Sequence, residues 1–308
     1  MSNGYQALAF LIKHRRWPNF NRTGYLNDLL FRIRAIESDI VFRSFTSDKE
    51  YAKIFVRGLI GEDLCVPTLA VLRDAGEVER FVFPDNCVIK PTHMSNEVIF
   101  HESGAISDGE RARMLDWLKM NFADMTGERN YQKLQPKIIV EPWLKLNGAL
   151  CHDYRFHMYR GQLTSVGIRL RHAADREETI QLTSDWRQFP GRSLVSGQIS
   201  LRSFSELEAL KPAQLSKMMD VARQIARFAD YVRVDFFTDG GEQLFVGEIS
   251  HITAGANERF DPVELERLFT KPSRHQDGPV GALAESGANS NVMQEKPAEA
   301  PLQSKVYF

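Results

Sequence analysis

The sequence is poor in the features that would announce a function. Its three cysteines, Cys65, Cys87 and Cys151, stand far apart among apolar neighbours, so neither a disulfide framework nor a zinc pattern is spelled out. Buried thiols in a reducing compartment are the plain reading. Charge of one sign is lacking too: 39 Lys and Arg against 40 Asp and Glu give a net charge of -1, which excludes a global basic field for nucleic acid. An acidic ligand must then be met by a local cluster. No apolar run approaches the roughly 18 residues that span a bilayer. The opening MSNGYQALAFLIKHRRW carries its basic residues after its apolar patch, the reverse of a secretory leader. A cytoplasmic protein without a transmembrane segment is expected, with peripheral attachment through that patch as the lesser alternative. Glycine is missing at one telling place. The polar stretch Thr92 to Glu97, between strand-like Val88-Ile89 and Val98 to Phe100, holds none, although its lysine, histidine and serine suit a phosphate-cradling loop.

What is present is a chain of 308 residues, 43% hydrophobic and 26% charged, enough for one large domain or two to three subdomains with a real core. Residues 24 to 38 carry apolar side chains at helical spacing. Ser47-Asp48 predicts an N-cap for a helix that Gly61 would end. A strand-rich block follows, with PTLAVL, ERFVF and the hairpin around Lys90. Residues 108 to 126 are amphipathic, with Asp108 as the cap, and KIIVEPWLKL opens as a short apolar strand. From Asp153 strand follows strand, with Arg160-Gly161 marking a turn. Residues 204 to 229 predict one or two helices broken near Pro212. YVRVDFF and EQLFVGEIS then form two antiparallel strands around a Thr-Asp-Gly-Gly turn. Beyond about Lys271 the composition cannot offset its ordering entropy by burial, so a disordered tail is expected over 272 to 308.

Three constellations can carry chemistry. In VRVDFFTDGGEQLFVGEIS, alternation puts Arg233 and Asp235 on one strand face and Glu248 and Ser250 on one face of the partner. A turn at Asp239 to Glu242 would pair Asp235 with a residue near 246, leaving Glu248 a diagonal step away. Two carboxylates within such reach suit a magnesium ion, which takes one or two carboxylates plus phosphate oxygens. The alternative is a pair of exposed acids, one salt-bridged to Arg233. In IVEPWL, a strand halted at Glu141-Pro142 would leave backbone groups free for an adenine ring beside Trp143 and Leu144; taken alone, an acidic turn with a packed Trp is the commoner explanation. In DYRFHMYRG and GIRLRH, Arg155, Arg169 and Arg171 fall on adjacent strands, and clustered guanidinium groups suit phosphate or carboxylate. The other reading is a solvated polar sheet face. His152, His157 and His172 match no zinc spacing.

In chain order, Ser47-Asp48-Lys49, V-I-K-P-T-H-M-S, I-V-E-P-W-L, D-Y-R-F and V-R-V-D-F-F…V-G-E-I-S together resemble the ATP-grasp superfamily. More narrowly they are similar to the TupA-like proteins named for teichuronopeptide biosynthesis, over roughly residues 24 to 269. The resemblance implies an α+β ATP-grasp fold, two α+β subdomains gripping ATP between antiparallel sheets. Its divisions would be a helical segment over 1–60, a first subdomain over 61–143, a second over 144–271 and the tail. It also implies an ATP- and Mg²⁺-dependent carboxylate–amine ligase working through an acyl phosphate, with a glycan or small-molecule carboxylate and an amine as co-substrates. Carried over by position, Lys49 and Lys90 would contact phosphates, His93 and Ser95 would belong to the loop that closes over them, and Glu141, Pro142, Trp143 and Leu144 would bind adenine. Asp235, Glu248 and Ser250 would hold the metal, with Asn257 or water supplementing the serine. Arg155, Arg169 and Arg233 would face the γ-phosphate or the acceptor. A kinase on the same fold, or a degenerate nucleotide- or glycan-binding scaffold, is the alternative. For the glycine-poor loop, Asn96 is expected to supply a left-handed conformation in glycine's place. Met94 is expected to stiffen the lid.

Overall fold

The computed structural model describes residues 3–19, 24–37, 40–61, 64–146, 149–150, 152–173, 176–187, 190, 192–193, 212–238 and 243–271. The expected tail 272–308, Cys151 and the Asp239 to Glu242 turn lie outside them. Helices are α1 (Asn3–His14), α2 (Leu26–Arg32), α3 (Val41–Ser47), α4 (Lys49–Ile60), α5 (Ala75–Arg80), α6 (Asp108–Trp117), α7 (Phe122–Thr126) and α8 (Pro212–Ile225), with a π-helical turn over Ile33–Glu37. Strands are β1 (Ala70–Leu72), β2 (Cys87–Pro91), β3 (Ile99–His101), β4 (Ile138–Pro142), β5 (Lys145–Leu146), β6 (Ala149–Leu150), β7 (His152–Tyr159), β8 (Gln162–Ala173), β9 (Arg176–Thr183), β10 (Arg192–Ser193), β11 (Tyr231–Thr238), β12 (Leu244–Ser250) and β13 (Phe260–Asp261).

Two antiparallel sheets organise these elements. One has the order β1-β4-β2-β3, the other β12-β11-β7-β8-β9. Alternation divides the larger sheet cleanly. Phe156, Ile168, Val234 and Phe236 point to a core completed by Met218 and Ala222 of α8 and Val56 of α4. Each fully buried Phe there contributes about 1.5–3 kcal/mol. The opposite face carries charge. Beneath the smaller sheet, Ile89, Val140, Met94 and Trp117 form a second core. Among the described residues no helix is long and apolar enough to cross a membrane.

Local sequence signals explain several boundaries and correct others. Asp48 accepts from the amides of Glu50 and Tyr51 and starts α4, and Gly61 ends it at φ 76°, as a C-terminal glycine allows. ERFVF does not form a strand. Asp74 caps the amide of Glu77 and draws Glu79 and Arg80 into α5, after which Phe81 and Phe83 pack edge to face. The cap of α6 is Ser107 rather than Asp108, because its hydroxyl and Glu110 satisfy each other's backbone donors. That helix stops at Trp117, and Asn121 caps a separate α7.

Candidate active site

The register of β11 and β12 differs from simple counting. Asp235 lies directly opposite Glu248, not diagonally, because Phe236 pairs with Val246 and Gly247 forms a bulge between them. A Cβ on Gly247 would come within 2.5 Å of the Phe237 ring, so glycine permits the bulge there. Arg233 faces Ser250 in the same ladder. On β7, Arg155 lies opposite Asp235, and Asp153 lies opposite Arg169 of β8. Arg155, Arg169, Arg233, Asp235, Glu248 and Ser250 therefore share one sheet face and one cavity of about 980 Å³. The Arg171 side chain lies outside the described residues.

Neither acid is the exposed strand carboxylate of the bland alternative; Asp235 is buried. The Arg233 guanidinium grips both its oxygens at 2.6 Å and also donates to Ser250 Oγ. Burial pushes the Asp235 carboxyl up despite that partner. Arg233 itself is held protonated, its own burial being outweighed by Asp235 and Glu248. Burial works against charge on Glu248 as well, but Arg233 and Lys49 draw it below the usual range. Asp153 pairs through Oδ2 with Arg155 (2.9 Å), while its buried Oδ1 has no hydrogen-bond partner among the described residues.

The facing wall comes from the smaller sheet and the start of α4. Lys90 Nζ lies 2.7 Å from Glu141 Oε2, and Lys53 Nζ 2.5 Å from Glu141 Oε1. Burial opposes the Glu141 charge, yet the two ammonium groups bring its pKa down to about 2. Lys49 donates to the carbonyls of Pro91 (3.1 Å) and Met94 (2.5 Å), and burial lowers its pKa. It thus ties the glycine-free stretch to the helix start. Asp48 reinforces that tie by accepting from Thr92 Oγ1 and pairing with Lys137.

Within the loop, Asn96 takes the left-handed conformation (φ 65°). Met94 does not; it is 2% exposed and packs into the core below. Glu97 also lines the cavity, and its carboxylate is paired with Arg113 and accepts from the Trp117 indole. Ser95 lines the cavity, whereas His93 lies beneath the loop with its Nε2 on the Trp117 carbonyl (3.0 Å) and its pKa lowered by burial. Pro142, Trp143 and Leu144 also line the cavity. The Trp143 amide is not free: it donates to the Asn86 carbonyl at 2.7 Å, and the Trp143 ring lies 5.1 Å from Phe100.

Residue patterns left several groups unassigned. Lys53 sits one helical turn after Lys49, a spacing that shares a face. Asp153 alternates with Arg155. Glu128 and Arg34 also line the cavity, and nothing in their local sequence marks them.

Among the described residues no three His, Cys, Asp or Glu side chains gather for a metal. The hard oxygen donors of Asp235, Glu248 and Ser250 nonetheless fit magnesium that shares its shell with phosphate oxygens. Arg233 supplies positive charge between them in this structure.

Residues 29–271 match the family model described as TupA-like ATPgrasp. No curated protein matches the chain. Similar solved structures include the ATP-grasp ligase PsnB complexed with minimal precursor (16% identity, TM-score 0.37, covering 74% of this chain and 60% of that one). The L-amino acid ligase from Bacillus licheniformis is similar at 14% identity and TM-score 0.44, over 75% of this chain and 50% of that one. The D-alanine–D-alanine ligase from Bacillus anthracis complexed with ATP is similar at 14% identity and TM-score 0.34, over 73% and 58%. The chain thus spans between 50% and 60% of the length of these structures.

Proposed function

The chain belongs to the TupA-like ATP-grasp family and has the ATP-grasp fold, and on that premise we propose that it is an ATP-dependent carboxylate–amine ligase. The acceptor is a carboxylate on a surface polysaccharide or its precursor, and an amino acid or other amine displaces the phosphate of the acyl phosphate formed on it. One observation carries the reading: the Lys49–Lys90 wall and the Asp235–Glu248 face, with its three arginines, close on one cavity.

The residues divide the work by charge. Lys49 and Lys90 each retain donors beyond those their protein partners occupy, since an ammonium has three. They meet the phosphates of ATP, while Ser95 and Asn96 form the rim over them. Trp143 and Leu144 supply the apolar wall for adenine, with Glu141 holding Lys90 in place. Asp235, Glu248 and Ser250 hold magnesium, which when bound neutralises phosphate charge. Arg155 and Arg169 orient the acceptor carboxylate and the transferring phosphoryl group as directional clamps. Arg233, on releasing Asp235, turns to the same phosphoryl group. Phosphoryl transfer needs positioning and charge neutralisation rather than a protein nucleophile.

The test is an ADP-release screen pairing glucuronate and galacturonate with the amino acids, followed by Asp235→Asn with Glu248→Gln. Turnover should require both acceptor and amine, with phosphate freed beside an amide, and should fall by about 10³-fold or more in the double variant. Retention of phosphate on the acceptor would indicate a kinase, and undiminished turnover in the double variant would remove the assigned site.

A further inference from the structure

Glu128 stands in the cavity wall, within the field of Arg34 but bonded to no side chain among the described residues. It follows Gly127, the left-handed end of α7, and precedes a 3-10 turn over Arg129–Tyr131 that its side chain does not cap. It is 7% exposed, and among the described residues its carboxylate makes no hydrogen bond or ion pair. The segment is nevertheless fixed on both sides. Gln6 donates to the Gly127 carbonyl, and Asn130 donates to Ser47 Oγ. Glu128 Oε1 lies 3.7 Å from the point a Cβ on Gly255 would occupy, which sets it over the turn Thr253–Ala256.

A buried carboxylate without a partner is costly, and the usual remedy is a cation. Arg34 is the obvious protein candidate, but its guanidinium donates instead to the Gly255 carbonyl at 2.9 Å. A second metal is poorly served, because Glu248 is the one other acid whose charge acts on Glu128 and no three-acid group exists among the described residues. A phosphate would be repelled. Burial lifts the carboxyl to about 7, against the pull of Arg34 and with the help of Glu248, so a proton is readily accepted there near neutrality.

Building on the ligase reading, we propose that Glu128 is the amine subsite and binds the co-substrate's primary ammonium. In the step that follows, the carboxylate takes one proton from the ammonium and becomes a carboxylic acid, leaving a neutral amine. The nitrogen lone pair forms the C–N bond while the acyl carbon's bond to the phosphate oxygen breaks. The phosphate departs with that electron pair and takes the second nitrogen proton.

The experiment needs no acceptor. The full chain with MgADP is titrated with ethanolamine, L-alaninamide and 1,4-diaminobutane, using saturation-transfer NMR and calorimetry, with propionate as the anionic control. At least one ammonium probe should bind the wild type. Glu128→Gln should weaken that binding about tenfold or more, the loss expected for a hydrogen bond between charged groups. Glu128→Asp should restore part of it, and MgADP affinity should be unmoved in both variants. Absence of ammonium binding in a wild type that binds MgADP, or equal binding by Glu128→Gln, overturns the subsite. Failure of the wild type to bind MgADP would instead strike the ligase reading.

Discussion

The two walls of the cavity handle buried charge differently. On the smaller-sheet side, ion pairs join separate elements: Glu141 of β4 holds Lys90 of β2 and Lys53 of α4, and Asp48 holds Lys137 while capping a helix. On the larger sheet the pairs lie within one strand two residues apart, Arg233 with Asp235 and Arg155 with Asp153. A pair that bridges elements fixes their relative position and is expensive to break. A pair within a strand does not itself link separate elements, although Arg233 also donates to Ser250 of β12, so its members can change partners when new charge arrives. The first wall therefore holds its charges in fixed positions, and the second carries exchangeable charge on a rigid sheet.

That contrast can be broken most directly at Glu141. Glu141→Gln leaves the buried Lys53 and half-buried Lys90 ammonium groups without their anion and should cost about 3–5 kcal/mol. Asp153→Asn removes one partner of a within-strand pair and should cost less, because the Arg155 side chain it leaves behind is 24% exposed and can turn to solvent. Urea denaturation midpoints of the two variants decide it, and equal losses would erase the distinction. Gly247→Ala comes next. The added Cβ forces the Phe237 ring aside or opens the bulge, at about 1–3 kcal/mol. Because the bulge sets Glu248 opposite Asp235, ADP release should fall while the smaller-sheet wall keeps its hydrogen-exchange protection.

The smallest effect is on pH dependence, and it has two stages. His93, His157 and His251 are held neutral, burial in each case being the leading cause, so their folded pKa values lie below the ordinary value near 6.5. The unfolded chain then binds protons first on acidification. The histidines' contribution to stability is full above about pH 6.5 and declines below it. Glu141 runs from about 4.5 in the unfolded chain to about 2, so its contribution survives until pH falls below about 4.5 and is lost towards 2. A Tm profile from pH 8 to 3 should bend twice, by about 2–4 °C for each kcal/mol lost. Imidazole NMR titrations check the histidines directly, because the raised Glu128 and Asp235 carboxyls take up protons in the folded chain over the same window and oppose that loss; an imidazole titrating at or above about 6.5 would overturn its neutral state.

Much of this was legible in the residues themselves, because it depends on short-range geometry. Alternation alone puts Arg233 with Asp235 and Glu248 with Ser250, and Asp48 and Gly61 bound their helix by local capping chemistry. Asn96 is left-handed as its side chain allows. Only the tertiary structure decided the rest. The Gly247 bulge moved Glu248 from a diagonal to an opposed position, a shift that depends on how the Phe237 ring packs rather than on strand period. Met94, a lid residue by pattern, is a core residue because the second core lies beneath its loop. Glu128 carries no local signal at all; its place over the Thr253–Ala256 turn, within the field of Arg34, is set by packing between distant segments. Sequence determines what a residue offers its neighbours along the chain, while tertiary packing determines which distant charges it must face or lack.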